Sequence, residues 1–228
     1  SGANLADYVL MLCRTDPNVA KHKGLTMFLL PLKAEGIEVQ PVYTFQDERT
    51  NITFYDNVKV PDTWRIGPVD GGVKAMSAAL ELEHGGGGFT KTHGMTIEMA
   101  EALAREIRFD GRPLIEDRTT QARLAKAHTH HAVGEMLVLR SLWSAEEKQN
   151  LPACGPMAKM FTSEKFLEDS SDLLDLTAPL SLSKRDGAAE YINTAYRHAH
   201  GTTIYAGTSE IHRSMIAERA LGLPRTRG

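Results

Sequence analysis

Cysteine is scarce in this sequence: only Cys13 and Cys154 occur among 228 residues. Two cysteines so far apart provide neither a disulfide framework nor the repeated Cys/His spacing of a zinc site. We therefore expect a reducing compartment and a cytoplasmic protein, and we predict no metal centre.

Long apolar runs are absent as well. None approaches the ~20 residues that a transmembrane helix requires. The first residues also lack the basic and apolar regions of a secretory signal. The formal net charge is only −3, with both signs interspersed, so neither nucleic acid nor membrane is expected as a partner. The apolar content of 42% and charged content of 24% are typical of a globular protein.

An initiator methionine is also missing. The sequence opens at Ser1, shortly before an apolar strand, and we expect that further residues precede it in the natural protein. Strand-like segments then follow one another, and they are predicted at Tyr8–Cys13, Leu25–Leu30, Ile37–Gln40, Asn51–Tyr55 and Val58–Val60. The first is apolar at every position, which indicates burial on both faces. Four or five strands are too few to close a barrel, so residues 1–70 are predicted to form a partial β-barrel or sheet domain.

After residue 72 the apolar period changes from two to about three and a half, which indicates helices. They are predicted at Val73–Phe109, Asp117–Lys148, Met157–Leu176 and Gly187–His200, with a last one after Gly207. Core candidates in the third are Met160, Phe161, Leu167 and Leu174. Residues 71–228 are therefore predicted to form an all-α up-down bundle. The fold class is α+β.

The segment Tyr205–Ile211 has the clearest local pattern. The β-branched and aromatic run Thr202–Tyr205 favours an extended approach. Gly207 allows a sharp turn, and Thr208 or Ser209 can cap the following helix. Glu210 lies in the first turn of that helix, where a carboxylate complements the helix dipole. Three apolar residues then recur at helical spacing: Ile211, Met215 and Ile216.

The longer run Thr202–Arg225 resembles the C-terminal signature of the acyl-CoA dehydrogenase family, and the resemblance extends through essentially the whole chain. It implies the later part of the middle β-domain followed by the C-terminal bundle. It also implies bound FAD and the introduction of a trans double bond between Cα and Cβ of an acyl-CoA thioester. The threonine that matches Thr208 contacts the flavin cofactor in the family, and Gly207 and Glu210 complete this part of the predicted cofactor site.

Two further cofactor contacts rest on the same resemblance. Ser1 matches the last residue of the family's Trp-Thr-Ser flavin motif. Arg108 loosely matches an Arg-x-Phe-Gly segment that reaches the FAD of a neighbouring subunit, although its spacing is off and a surface arginine needs no function. The family's Gly-Gly-x-Gly stretch is replaced by Thr177–Leu180, which puts the contacts to adenine in doubt.

The catalytic base departs from the commonest family pattern. Many members have Glu immediately before Gly-Thr-Ser, but here that residue is Ala206. The backbone N–H at this position helps to hold the thioester carbonyl. An isovaleryl-CoA dehydrogenase-like branch also has alanine there and supplies Glu from the first bundle helix. Glu83 matches that position best. Glu81 is the alternative, but two residues are about 200° apart around a helix, so the two cannot share a face.

Four glycines, Gly85–Gly88, follow the predicted base and His84. Inside a helix they would cost roughly 3–4 kcal/mol against alanine. The helix either breaks there into a loop or uses the missing side chains to make room for a wide acyl group. We favour the second explanation, space for a wide acyl group, which indicates a branched or steroid-type substrate.

The resemblance further implies an electron-transfer flavoprotein as partner and a homo- or hetero-tetramer. Two other functions stay open: a non-catalytic subunit of a mixed oligomer, and a relative that uses flavin as an oxidase or monooxygenase. The histidines His128, His130 and His131 are interpreted as packed or surface residues, because no acidic ligand is obvious beside them.

Overall fold

The computed structural model describes residues 1–83, 87–149, 151–183 and 187–225, and for 78–83 and 87–89 it describes the backbone alone. The chain divides into two compact units, Ser1–Glu83 and His84–Gly228. We predicted a domain boundary between residues 70 and 71. That position precedes the division between these two units by one helix, α1 (Gly72–Glu83). No helix in the described ranges is long and apolar enough to cross a bilayer.

The first unit contains two antiparallel sheets. In the first, β2 (Leu25–Pro31) lies between β1 (Tyr8–Arg14) and the two-residue β5 (Arg65–Ile66), and Leu10 pairs with Leu29. The second is a hairpin of β3 (Ile37–Tyr43) and β4 (Arg49–Tyr55). Short 3-10 turns lie at residues 21–23 and 62–64. Helix α1 contacts β2.

Two predictions about the first unit are wrong. Val58–Val60 is not a strand; β4 pairs with β3 instead, and the next strand is β5 after Pro61. Strand β1 is not buried on both faces: Tyr8 and Leu10 are 54% and 53% exposed. They alternate with less exposed neighbours, as expected when one face of a strand has no covering layer within the unit.

The second unit is a helical bundle, as predicted. It consists of α2 (Gly87–Glu106), α3 (Arg118–Glu146), α4 (Cys154–Leu176), α5 (Ala188–Thr202) and α6 (Ser209–Arg219). A small hairpin, β6 (Arg108–Phe109) with β7 (Arg112–Pro113), separates α2 from α3. The core lies where α2, α3, α4 and α5 meet, around Ile97, Leu124, Leu173 and Ile192. The mixed fold class is confirmed.

The predicted core residues of α4 are partly wrong. Its fully buried large apolar residues are Phe166 and Leu173. The predicted core residues Leu167 and Leu174 directly follow them in sequence. These two leucines are only half-buried. The reason is that α4 contacts four other helices, so its buried surface is wider than one apolar stripe and includes polar residues such as Ser163.

Helix α3 begins at an N-cap, Asp117. The Asp117 carboxylate accepts a hydrogen bond from the Thr120 backbone N–H at 2.8 Å. We expect Asp117→Ala to lower the free energy of unfolding by about 1 kcal/mol, because one N–H at the helix start loses its partner. Urea denaturation measures this change. Asp117→Ser, which retains an acceptor, is the control; equal destabilisation by both variants would contradict the capping role.

Candidate functional site

The approach to the terminal turn is helical rather than extended, so that prediction is wrong. Helix α5 continues to Thr202, and residues 203–206 form turns. The hydroxyls of Thr202 and Thr203 bond to the carbonyls of Ala199 and His200 at 2.7 and 3.0 Å. This bonding to preceding carbonyls lets β-branched residues end a helix.

The turn itself uses left-handed backbone at two successive residues. Ala206 has φ 55° and Gly207 has φ 94°, of which the second is a conformation that glycine adopts most readily. Thr208 then caps α6, as predicted: its hydroxyl oxygen accepts from the Ile211 N–H at 3.3 Å. The Ser209 N–H donates to the Thr203 carbonyl at 3.1 Å, which closes the turn.

Three consecutive backbone donors stay available on this turn. The N–H groups of Ala206, Gly207 and Thr208 have no hydrogen-bond acceptor among the described residues, and all three residues are half-buried. Successive N–H groups at a helix N-terminus bind anions and carbonyl oxygens. The turn can therefore hold a negatively charged or strongly dipolar ligand group.

Two buried basic side chains hold the opposite side of the turn. The Lys159 ammonium, from α4, donates to the Gly207 carbonyl at 2.5 Å. The His212 Nε2 lies 3.0 Å from the Ala206 carbonyl oxygen. Both residues are 1% exposed, and burial lowers the pKa of Lys159. Neither role was predicted, because a lone lysine on α4 has no sequence signal that separates it from a surface cation.

Glu210 lies exposed in the first turn of α6. Hydrogen bonds from its own backbone N–H and from the Thr208 hydroxyl lower its pKa, with smaller contributions from Arg213 and Lys159. Ile211 is 55% exposed, whereas Ser209 and His212 are the buried residues of α6. The three apolar residues that recur at helical spacing do lie on a helix, but the residues that this helix buries are polar ones that support the turn.

The other predicted site residues are distributed over both units. Ser1 is exposed in the first unit, and Arg108 is exposed on β6 in the second, without an ion pair to any described residue. Glu83 is the last residue of α1. The side chains of Glu83 and Glu81 lie outside the described part of the structure, as do His84, Gly85 and Gly86 entirely. Their roles stay predictions.

The histidines of α3 do have acidic neighbours, contrary to our expectation. His128 contacts Glu101 at 2.7 Å, and His130 contacts Asp169 at 2.9 Å. The His93 Nε2 also lies 2.9 Å from the Asp169 carboxylate, in the bundle core. These acids belong to other helices, up to 39 residues away in sequence, and spacing along α3 could not reveal them.

One cluster, formed by His130, Glu168 and Asp169, has ligand atoms close enough together to suggest a metal ion. However, Lys126 and Lys165 each contact the Glu168 carboxylate at 2.6 Å. The Asp169 carboxylate is in turn contacted by two imidazoles. The cluster is accounted for as a network of ion pairs and hydrogen bonds between α2, α3 and α4.

Known proteins match this architecture over the whole chain. The family model described as acyl-CoA dehydrogenase, C-terminal domain, matches residues 71–221. Acyl-CoA dehydrogenase FadE26 of Mycobacterium tuberculosis is 28% identical over 96% of this chain and 58% of its own length. A solved structure described as the Tcur3481-Tcur3483 steroid ACAD aligns with a TM-score of 0.88 at 26% identity, over 99% of this chain and 59% of that one. The ChsE4-ChsE5 complex of Mycobacterium tuberculosis aligns with a TM-score of 0.84 at 25% identity, over 98% of this chain and 59% of that one.

A sheet unit followed by a helical bundle is the arrangement that these solved structures share with the chain. The chain belongs to the acyl-CoA dehydrogenase family. It spans a little under three fifths of the length of the first relatives that it matches.

Proposed function

We propose that this chain is the substrate- and cofactor-facing part of an FAD-dependent dehydrogenase that introduces a trans 2,3 double bond into an acyl-CoA thioester. The observation that carries the proposal is the row of free N–H groups at residues 206–208. An anionic pyrophosphate suits such a helix N-terminus. The Thr208 hydroxyl oxygen accepts from the Ile211 N–H and its hydrogen is donated to the Glu210 carboxylate, so the backbone N–H groups are the donors left for a ligand.

Each predicted residue has a separate role in this proposal. Glu83 accepts the proton that leaves Cα of the acyl group. The Ala206 N–H donates to the thioester carbonyl, which stabilises the negative charge that develops on its oxygen. Bound FAD would supply the acceptor for the hydride from Cβ. Gly207, Thr208, Glu210, Ser1 and Arg108 form the proposed cofactor contacts.

The substrate class that we propose is a branched or polycyclic acyl-CoA. Two features support it: the glycine run 85–88, which removes side chains next to the proposed base, and the description of one similar structure as a steroid ACAD. Turnover of straight-chain, branched and steroid acyl-CoAs by the flavin-containing protein tests this choice. A clear preference for unbranched chains would contradict it.

The visible absorption spectrum of the purified protein that contains this chain tests the reaction class. We expect oxidised-flavin bands that bleach when acyl-CoA is added without oxygen, followed by slow reoxidation in air. Rapid reoxidation by oxygen would instead favour the oxidase or monooxygenase alternative. A protein without flavin would contradict the proposal.

A second function is favoured by one observation. Ala206 has no ionisable side chain at the position where many family members have their base. In this second proposal, the chain is a non-catalytic subunit that retains the fold and belongs to a mixed oligomer. Retained flavin without reduction by any acyl-CoA would favour this function over the first.

Assembly of the bundle into a homo- or hetero-tetramer is also proposed, with an electron-transfer flavoprotein as the electron acceptor. Helix α3 carries an exposed apolar stripe at Val133, Met136, Leu139 and Trp143, which are 42%, 67%, 59% and 52% exposed. These residues line a shallow groove of about 640 Å³. Contiguous exposed apolar surface of this kind is typical of protein interfaces.

We expect Met136→Glu to shift the oligomer toward smaller species, because the interface would have to bury an unpaired carboxylate. Light scattering after size-exclusion chromatography measures the change. Thr194→Glu, at an exposed position of helix α5, is the control. An unchanged mass for Met136→Glu would exclude this stripe from the interface.

A further inference from the structure

Two successive carbonyl groups of the terminal turn are bound from inside the bundle by basic side chains. His212 contacts the Ala206 carbonyl, and Lys159 contacts the Gly207 carbonyl. We propose that Lys159 and His212 are positioning residues that aim the Gly207 and Thr208 N–H groups at the cofactor. This inference rests on the proposed function and adds two residues to it.

Peptide geometry connects the two carbonyls to the two donors. In a trans peptide, the C=O and the N–H of one plane point in opposite directions, and the peptides of this turn are trans. The Ala206 carbonyl shares its plane with the Gly207 N–H, and the Gly207 carbonyl shares its plane with the Thr208 N–H. By holding the carbonyls inward, His212 and Lys159 direct both N–H groups away from themselves. Neither N–H has an acceptor among the described residues.

The environment of Lys159 argues against a role in packing alone. An ammonium group that is 99% buried is expensive to desolvate, and burial lowers its pKa. Within the described ranges its hydrogen bond goes to the Gly207 carbonyl, not to a carboxylate. The neighbouring Glu164 is engaged by Arg213 at 2.6 Å. Glu164 and Glu210 favour the charged form of Lys159 through their electrostatic field, whereas the hydrogen bond to the Gly207 carbonyl fixes the direction in which the ammonium group points.

His212 and Gly207 fit each other closely. A Cβ atom on Gly207 would lie 2.8 Å from the His212 Nε2. The imidazole therefore lies directly against the turn backbone and leaves no room for a side chain at residue 207. His212 needs a hydrogen on Nε2 to donate to the Ala206 carbonyl, so the structure requires the Nε2–H tautomer or the imidazolium.

The geometry can be tested by NMR on the purified protein that contains this chain, with 15N-labelled lysine and histidine and with 13C at the glycine carbonyls. We expect a protected Lys159 ammonium resonance that correlates with the Gly207 carbonyl carbon, and an Nε2–H signal for His212. Lys165, on the same helix with a side chain 31% exposed, is the reference for rapid exchange. A Lys159 ammonium that exchanges as rapidly as that of Lys165 would overturn the proposed positioning.

The cofactor role is tested by titrating FAD into the purified flavin-free protein that contains this chain. We expect Lys159→Met and His212→Leu each to weaken FAD binding by about tenfold, because misdirected N–H groups lose their hydrogen bonds. His212→Gln places an amide donor near the position of Nε2 and should recover most of the affinity. Lys165→Met is the matched control and should bind FAD normally.

The outcomes separate this inference from the proposed function. Normal FAD affinity in both Lys159→Met and His212→Leu would overturn the cofactor role of the two residues while the dehydrogenase proposal survives. Absence of FAD binding by the unsubstituted protein would overturn both, and the NMR result would still decide whether the turn is held as described. If Lys159→Met does not fold, the comparison of His212→Leu with His212→Gln decides.

Discussion

Glu83→Gln is expected to lower the turnover of the flavin-containing enzyme by about 10²–10⁴-fold, the contribution typical of a positioned general base. Glutamine keeps the shape of the side chain but cannot accept the Cα proton. The bound flavin should keep its normal absorption spectrum, because Glu83 is proposed to act on the substrate and not on the cofactor. Stopped-flow measurement of flavin bleaching by acyl-CoA isolates the affected step.

Glu81→Gln is the companion variant, because positions two residues apart along a helix such as α1 are about 200° apart around its axis. If Glu83 is the base, the rate of flavin bleaching falls only in Glu83→Gln. In that variant the rate also no longer increases with pH. The opposite order of effects would assign the base to Glu81. Unaltered bleaching in both variants would remove α1 from the mechanism.

Secondary structure could be predicted from the sequence wherever the signal was local. Strand β2 and helix α3 were located within one or two residues by their apolar patterns. The Thr208 cap was predicted because a hydroxyl before a helix start has one common use. The prediction for β1 was less complete: the strand was found, but its burial depends on neighbours that its own sequence does not specify.

The inner support of the turn could not be predicted in the same way. Lys159 and His212 reach the two carbonyls only after α4 and α6 have packed together, and Lys159 is 48 residues from Gly207 in sequence. Burial also reverses the usual expectation for these residue types, since lysine is rarely buried without a charged partner. The sequence of α4 does not separate Lys159 from a surface cation, because its burial depends on tertiary contacts.

Gly207→Ala is expected to damage the turn itself. The left-handed backbone, with φ 94°, costs a residue with a Cβ about 1–2 kcal/mol. The new methyl group would also lie 2.8 Å from the His212 Nε2, so the imidazole must move off the Ala206 carbonyl. We therefore expect a loss of stability of at least 1–2 kcal/mol together with weaker FAD binding. Thermal unfolding and FAD titration measure the two effects.

Gly222→Ala separates these two causes. Gly222 also has positive φ, 66°, but a Cβ there would meet no atom within 4 Å. The Gly222→Ala variant should therefore lose stability only because of its backbone conformation, and it should bind FAD normally. The difference between the two variants then reports the contact between residue 207 and His212. If Gly207→Ala binds FAD as well as Gly222→Ala does, the free N–H groups of the turn do not bind the cofactor, and the proposed function loses the observation that carries it.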